Sequence, residues 1–165
     1  MDPDRAAAGL IQIVTQTMDE AVHRGGAWVV CRPGCAECCL GVFSISTSDA
    51  HRLQQGLAEL TTNDPSRAGR VRQRARLALT ASGDDDPCPA LDPDTLTCDL
   101  YAHRPVPCRT FGPALRFPEG EIRCCELCYT TATPEQIATA AVPISEPHLA
   151  ELEIEETTVA EALAR

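Results

Sequence analysis

The placement of ten cysteines constrains this 165-residue chain more than any other feature. Cys31, Cys35, Cys38 and Cys39 form one group, Cys88, Cys98 and Cys108 a second, and Cys124, Cys125 and Cys128 a third. Cys35-x2-Cys38 and Cys125-x2-Cys128 have the two-residue gap of a turn that aims both sulfurs at one ion. The distance between these two pairs far exceeds zinc-ribbon spacing, and the first group lacks the two-, two- and three-residue gaps of a ferredoxin run. A disulfide scaffold fits less well. The cysteine density is below that of disulfide-stapled domains, and the adjacent pairs Cys38-Cys39 and Cys124-Cys125 suit ordinary disulfides poorly. All ten cysteines are therefore candidate metal ligands, for zinc or for an iron–sulfur cluster. In an extended chain neighbouring side chains point opposite ways. Cys38 and Cys39 thus either serve different metals or divide into a ligand and a structural thiol. Ten thiols allow two four-ligand sites, or one site plus a reactive thiol group, and the spacing does not choose.

Composition sets the frame. A hydrophobic content of 44% fits a globular chain. With one Trp, two Tyr and three Phe, the core must come from Ala, Leu, Val and Ile, supplemented by metal sites. The net charge of −10 argues against nucleic acid as a general partner. All 14 basic residues are Arg, which reads as coding bias. No stretch has the ~20 apolar residues that span a bilayer, and Met1-Asp2-Pro3-Asp4-Arg5 does not open a secretory leader. The expected location is the cytoplasm, where thiols stay reduced.

The pattern predicts a single domain, mainly α, with a small β-hairpin and irregular metal-binding loops. Residues 1–26 form an N-terminal amphipathic helix, with Ala7, Leu10, Ile11, Val14, Met18 and Val22 on one face. Residues 27–130 form the cysteine-cluster metal-binding region, and 131–165 the C-terminal helices. Within the middle region Val42–Ser46 reads as a strand. Ser46-Thr47-Ser48-Asp49 opens a helix through Leu60, and Asp64-Pro65 opens a helix bearing Arg67, Arg70, Arg72, Arg74 and Arg76. Ser82–Pro87 is a loop. Leu91–Leu96 is a hairpin around Asp92-Pro93-Asp94 that brings Cys88 and Cys98 together. Pro105 and Pro107 keep the next segment extended. Thr133–Gln136 is a capping box, Pro143 and Pro147 mark a linker, and Leu149, Leu152, Val159 and Leu163 line one acidic helix. The Arg67–Arg76 helix and this acidic helix are the candidate protein-docking surfaces. His103 reads as a hydrogen-bonding residue more than as a ligand. Arg104 and Arg109 flank Cys108, where they either offset thiolate charge or make local contacts.

These residues carry a resemblance. Cys31, Cys35, Cys38 and Cys39, then Cys88-Pro89-Ala90-Leu91, Cys98-Asp99-Leu100-Tyr101, Arg104-Pro105 and Cys108-Arg109-Thr110-Phe111 resemble the motifs of the YkgJ-like family, also called CxxCxxCC. The first gap is three residues instead of two, through Pro33-Gly34, and the group ending at Cys128 is richer than the family minimum. The resemblance implies a cysteine-ligated zinc or iron–sulfur centre and no defined activity. Some flagellin lysine methylases resemble the family and have been associated with an iron–sulfur cluster, but no glycine-rich nucleotide fingerprint is present here. Three functions follow as expectations: a redox-active metal protein, a structural zinc module for protein–protein interaction, or a metal- or thiolate-dependent enzyme. The sequence names no catalytic base or nucleophile for the last.

Overall fold

A computed structural model describes residues 3–80, 83 and 85–165. The expectations placed on Met1, Asp2, Ser82 and Asp84 lie outside the described residues. The fold is mainly α, with strands of only two residues each. The helices are α1 (Pro3–Gly25), α2 (Thr47–Asn63), α3 (Pro65–Ala78), α4 (Val106–Arg109), α5 (Pro134–Ala140), α6 (Glu146–Leu152) and α7 (Val159–Ala164). The strands are β1 (Ser44–Ile45), β2 (Leu91–Asp92), β3 (Thr97–Cys98), β4 (Leu115–Arg116), β5 (Ile122–Arg123), β6 (Val142–Pro143) and β7 (Thr157–Thr158). Among the described residues no helix is long and apolar enough to cross a membrane.

The chain forms two compact units, each made of two separated segments. Unit 1 comprises Met1–Arg32 and Arg109–Glu153; unit 2 comprises Pro33–Cys108 and Ile154–Arg165.

Unit 2 is built on α2, α3 and α7. Ser46 caps α2, its hydroxyl accepting from the Asp49 N–H at 3.0 Å. Asp64 serves both neighbouring helices: its N–H closes α2 on the Leu60 carbonyl, and its carboxylate accepts from the Arg67 N–H to open α3. Leu53, Leu57, Val71, Val159 and Leu163 bury the apolar faces of the three helices together, with Ile45 and Leu100. Each such side chain stabilises the unit by about 1.5–3 kcal/mol relative to exposure. β1 pairs antiparallel with β7, Ser44 opposite Thr158, which ties residues 154–165 into the unit. β2 and β3 form the expected hairpin, Leu91 opposite Cys98. Its turn is fixed by Asp92, whose side chain accepts from the N–H groups of Asp94 and Thr95.

Unit 1 centres on α1 and a three-stranded sheet in which β4 lies between antiparallel β5 and parallel β6. Val14, Met18 and Ala21 are buried apolar side chains of α1, whereas Val22 is 48% exposed. The stripe follows the 14–18–21 steps, and residue 22 falls off it. Thr133 and Gln136 make the expected capping box at the start of α5.

Three expectations are corrected. The segment after Pro105 is helical, as α4, because Pro107 falls in the first turn, where a missing N–H costs nothing. Pro143 is in β6, and Pro147 in the first turn of α6, so neither marks a linker. The acidic C-terminal segment is two helices in different units. Between Leu152 and Val159 only Ile154 is apolar, and Thr157-Thr158, both β-branched, form a strand. Thr158 and Glu161 then make a second capping box that starts α7.

Candidate metal centre

None of the ten cysteines is in a disulfide. They divide between the units. Cys35, Cys38, Cys39, Cys88, Cys98 and Cys108 lie in unit 2; Cys31, Cys124, Cys125 and Cys128 lie in unit 1. Cys31 and Cys35, four positions apart, thus belong to different units, and the boundary falls at the wider first gap through Pro33-Gly34.

In unit 2 the loops bearing thiols are stitched by backbone. The Cys88 N–H donates to the Cys39 carbonyl at 2.7 Å, and Leu40 bridges Pro87 in antiparallel sense. The Leu91 N–H donates to the Cys88 carbonyl at 2.9 Å, and the Asp99 N–H to the Ala90 carbonyl at 2.7 Å, so the loop of Cys88 turns directly into the hairpin that carries Cys98. Cys38 and Cys39 sit on a single 3-10 turn, Glu37–Cys39. Cys39, Cys88 and Cys98 pack against the α2–α3–α7 core.

Side chains on the helices hold these loops. Arg74 of α3 donates from Nε to the Pro89 carbonyl (2.9 Å) and pairs with Asp99 (2.6 Å). Arg67 pairs with the other Asp99 oxygen at 2.5 Å, and the Asp99 carboxylate is fully buried. Two of the five arginines on the α3 stripe thus position the cysteine loops, and Arg72 donates to the Thr61 hydroxyl. Asp49, also fully buried, accepts from the Val106 N–H at 2.8 Å and pairs with Arg52, fixing the start of α4, which carries Cys108. Asp49 and Asp99 were readable in the sequence only as a cap and as the residue after Cys98. Their anchoring role depends on separations of 57, 32 and 25 residues, which local pattern does not show. His103 pairs with Glu59 at 3.0 Å, its ring close against Gly56, in keeping with a hydrogen-bonding residue.

The thiols of unit 2 sense one another. Cys39 donates its S–H to Cys38, and this bond, aided by Arg104, pulls the Cys38 thiol down to about 6. The same bond and burial push Cys39 well above the ordinary thiol range. Burial, then the charge of Cys98 and Cys38, pushes Cys88 up to about 11. Burial raises Cys98, and burial with the charges of Cys88, Cys98 and Cys38 raises Cys108. Arg104 is a cation whose charge favours the thiolates of Cys38, Cys98 and Cys108. Its guanidinium lies 3.6 Å over the Tyr101 ring, and its Nε donates to the Tyr101 carbonyl. These buried sulfurs cannot ionise together without a further cation among them.

In unit 1, Cys31 Sγ and Cys128 Sγ are 4.0 Å apart. Cys125 and Cys128 are buried in a cluster with Tyr129, Ala114 and the half-buried Trp28. Burial, then the charges of Cys128 and Cys125, raises Cys124. Trp28 lies in this core, with its ring centroid 6.1 Å from that of Tyr129.

Among the described residues no three His, Cys, Asp or Glu side chains already stand in metal-holding geometry. The donor chemistry nonetheless fits a soft metal: thiols grouped along the chain, most of them buried or half-buried, and mutually repelling once ionised. Such a donor set defines a cysteine-cluster chelating protein. Consistent with this, residues 30–128 match the model of the CxxCxxCC family, described as "Putative zinc- or iron-chelating domain". The chain belongs to that family. No curated protein and no solved structure matches it.

Proposed function

We propose that unit 2 holds a cysteine-ligated iron–sulfur centre, drawing its ligands from Cys38, Cys39, Cys88, Cys98 and Cys108. The observation that carries this reading is the backbone stitching of the Cys39, Cys88 and Cys98 segments to one another and to one core, with Cys38, Cys98 and Cys108 all feeling the charge of Arg104. Four of the five sulfurs suffice for a cluster, and the fifth is then a structural thiol. When bound, the group supplies one-electron chemistry. The residues of the chain set its environment: Cys88 and Cys108 keep it out of water, Arg104 offsets its negative charge, and Asp49 and Asp99 hold the ligand loops in place.

The test is elemental analysis of protein purified without oxygen, with a visible spectrum of the same sample. Iron and acid-labile sulfide with a broad band near ~400 nm are expected of a thiolate-held cluster. Zinc alone, with no visible band, would convert unit 2 to a structural module and remove the redox reading.

A further inference from the structure

Four cysteines, Cys31, Cys124, Cys125 and Cys128, belong to unit 1, and their geometry differs in kind. Two sulfurs bound at about 2.3 Å to one tetrahedral ion are necessarily about 3.8 Å apart. Cys31 Sγ and Cys128 Sγ, at 4.0 Å, already have that edge length, although 97 residues separate them.

Gly112 makes this approach possible. Its φ of +113° lies where other residues are strained, and a Cβ built on it would fall 2.7 Å from Cys31 Sγ. The Gly112 carbonyl also accepts from the Cys125 N–H at 2.9 Å. One glycine therefore both cradles the first sulfur and pins the turn that carries the others. That turn is closed by the Cys128 N–H on the Cys125 carbonyl at 3.0 Å, the two-residue knuckle that presents paired thiols to one ion. Its seat is firm: Tyr129 donates its N–H to the Trp28 carbonyl, and its hydroxyl accepts from the Ala114 N–H at 3.0 Å.

We propose that unit 1 contains a second, independent metal site, in which Cys31, Cys124, Cys125 and Cys128 take a single tetrahedral divalent ion of the zinc class. Binding forms four metal–sulfur bonds, releases the thiol protons to solvent and changes no oxidation state. The two units then carry different metals for different ends, a cluster in unit 2 and a closed ion in unit 1. The site is argued from its own residues and does not rest on the iron reading of unit 2.

The experiment measures zinc and iron per chain in wild type, Cys31→Ser, Gly112→Ala and Cys98→Ser. Wild type is expected to hold one zinc. Cys31→Ser and Gly112→Ala should lose it and keep the metal of unit 2, whereas Cys98→Ser should do the reverse. If wild type carries two zincs and no iron, unit 2 is a zinc site, and the Cys31→Ser variant should still fall from two to one. A Co2+ titration of apoprotein supplies a second readout: intense thiolate-to-cobalt bands of a four-sulfur tetrahedral ion, absent in Cys31→Ser. Zinc retained in Cys31→Ser, both metals lost together in Cys31→Ser or Gly112→Ala, or a wild type without zinc would each overturn the second site.

Discussion

In unit 2 the thiols sit on loops, a hairpin and the short helix α4, anchored by side chains: Arg67 and Arg74 through Asp99, and Asp49 at the head of α4. In unit 1 they sit around the backbone of a single glycine, with Cys31 against Gly112 and Cys125 bonded to its carbonyl. The difference lies in what transmits strain. A buried carboxylate held by two guanidiniums links the ligand loops of unit 2 to its hydrophobic core, so the core and the site stand or fall together. The geometry of unit 1 is carried by main chain, where the sensitive position is one without a side chain.

Substitutions can break that contrast or sharpen it. The largest effect is expected from Cys38→Ser or Cys108→Ser, which should remove the metal of unit 2 and lower the thermal midpoint while the unit 1 ion stays. Unchanged metal content in both variants would exclude these residues as ligands. Next is Asp99→Asn, which leaves Arg67 and Arg74 without their shared anion. Breaking a buried pair costs about 3–5 kcal/mol. Because both arginines keep some access to water, about 3 kcal/mol in denaturant unfolding is expected, with metal lost from unit 2 only. A cost below about 1 kcal/mol, the range of surface pairs, would show that the loops do not depend on α3.

A comparable effect in unit 1 depends on pH. His148 is fully buried, its Nε2 hydrogen-bonded to the Thr110 hydroxyl at 2.7 Å and its Nδ1 without a partner. Burial lowers its pKa from 6.5 to about 4. Between these values the unfolded chain binds a proton that the folded chain does not, so stability falls as pH drops from 6.5 towards 4 and then levels. Across that window wild type should lose about 3 kcal/mol more than His148→Gln. Equal pH profiles would show that His148 is protonated in place. The smallest effect is expected from Arg104→Gln, a tenfold to hundredfold loss of metal affinity in unit 2 of the kind seen when ligand-supporting groups are removed. No change in metal competition assays would reduce Arg104 to a partner of Tyr101.

Much of this was legible locally. Ser46, Asp64 and Thr133 mark helix starts because a cap is a three-residue event, and Asp92-Pro93 marks the hairpin for the same reason. The cysteine groups were legible as candidate ligands, and the family match over residues 30–128 agrees with a chelating role. The grouping was not. Cys31 lies four positions from Cys35 yet meets Cys128, and neither spacing nor periodicity encodes a contact made through a glycine at positive φ. The arginine stripe of α3 was legible as a charged face, but its use within the unit became visible only with Asp99 placed opposite it. The break in the acidic C-terminal helix turned on Thr157-Thr158, whose partner strand lies more than a hundred residues away.

The pairing of β1 with β7 also sets an order of events during synthesis. α2, α3 and the thiol loops emerge first, but the helix that completes their core, α7, is made after the whole second segment of unit 1. At about 5–20 residues per second, roughly 2–10 seconds pass between the emergence of Cys108 and that of residue 154. In that interval the thiol loops of unit 2 lack the Val159 and Leu163 side of the core they pack against, so the order of synthesis leaves them for seconds on an unfinished core.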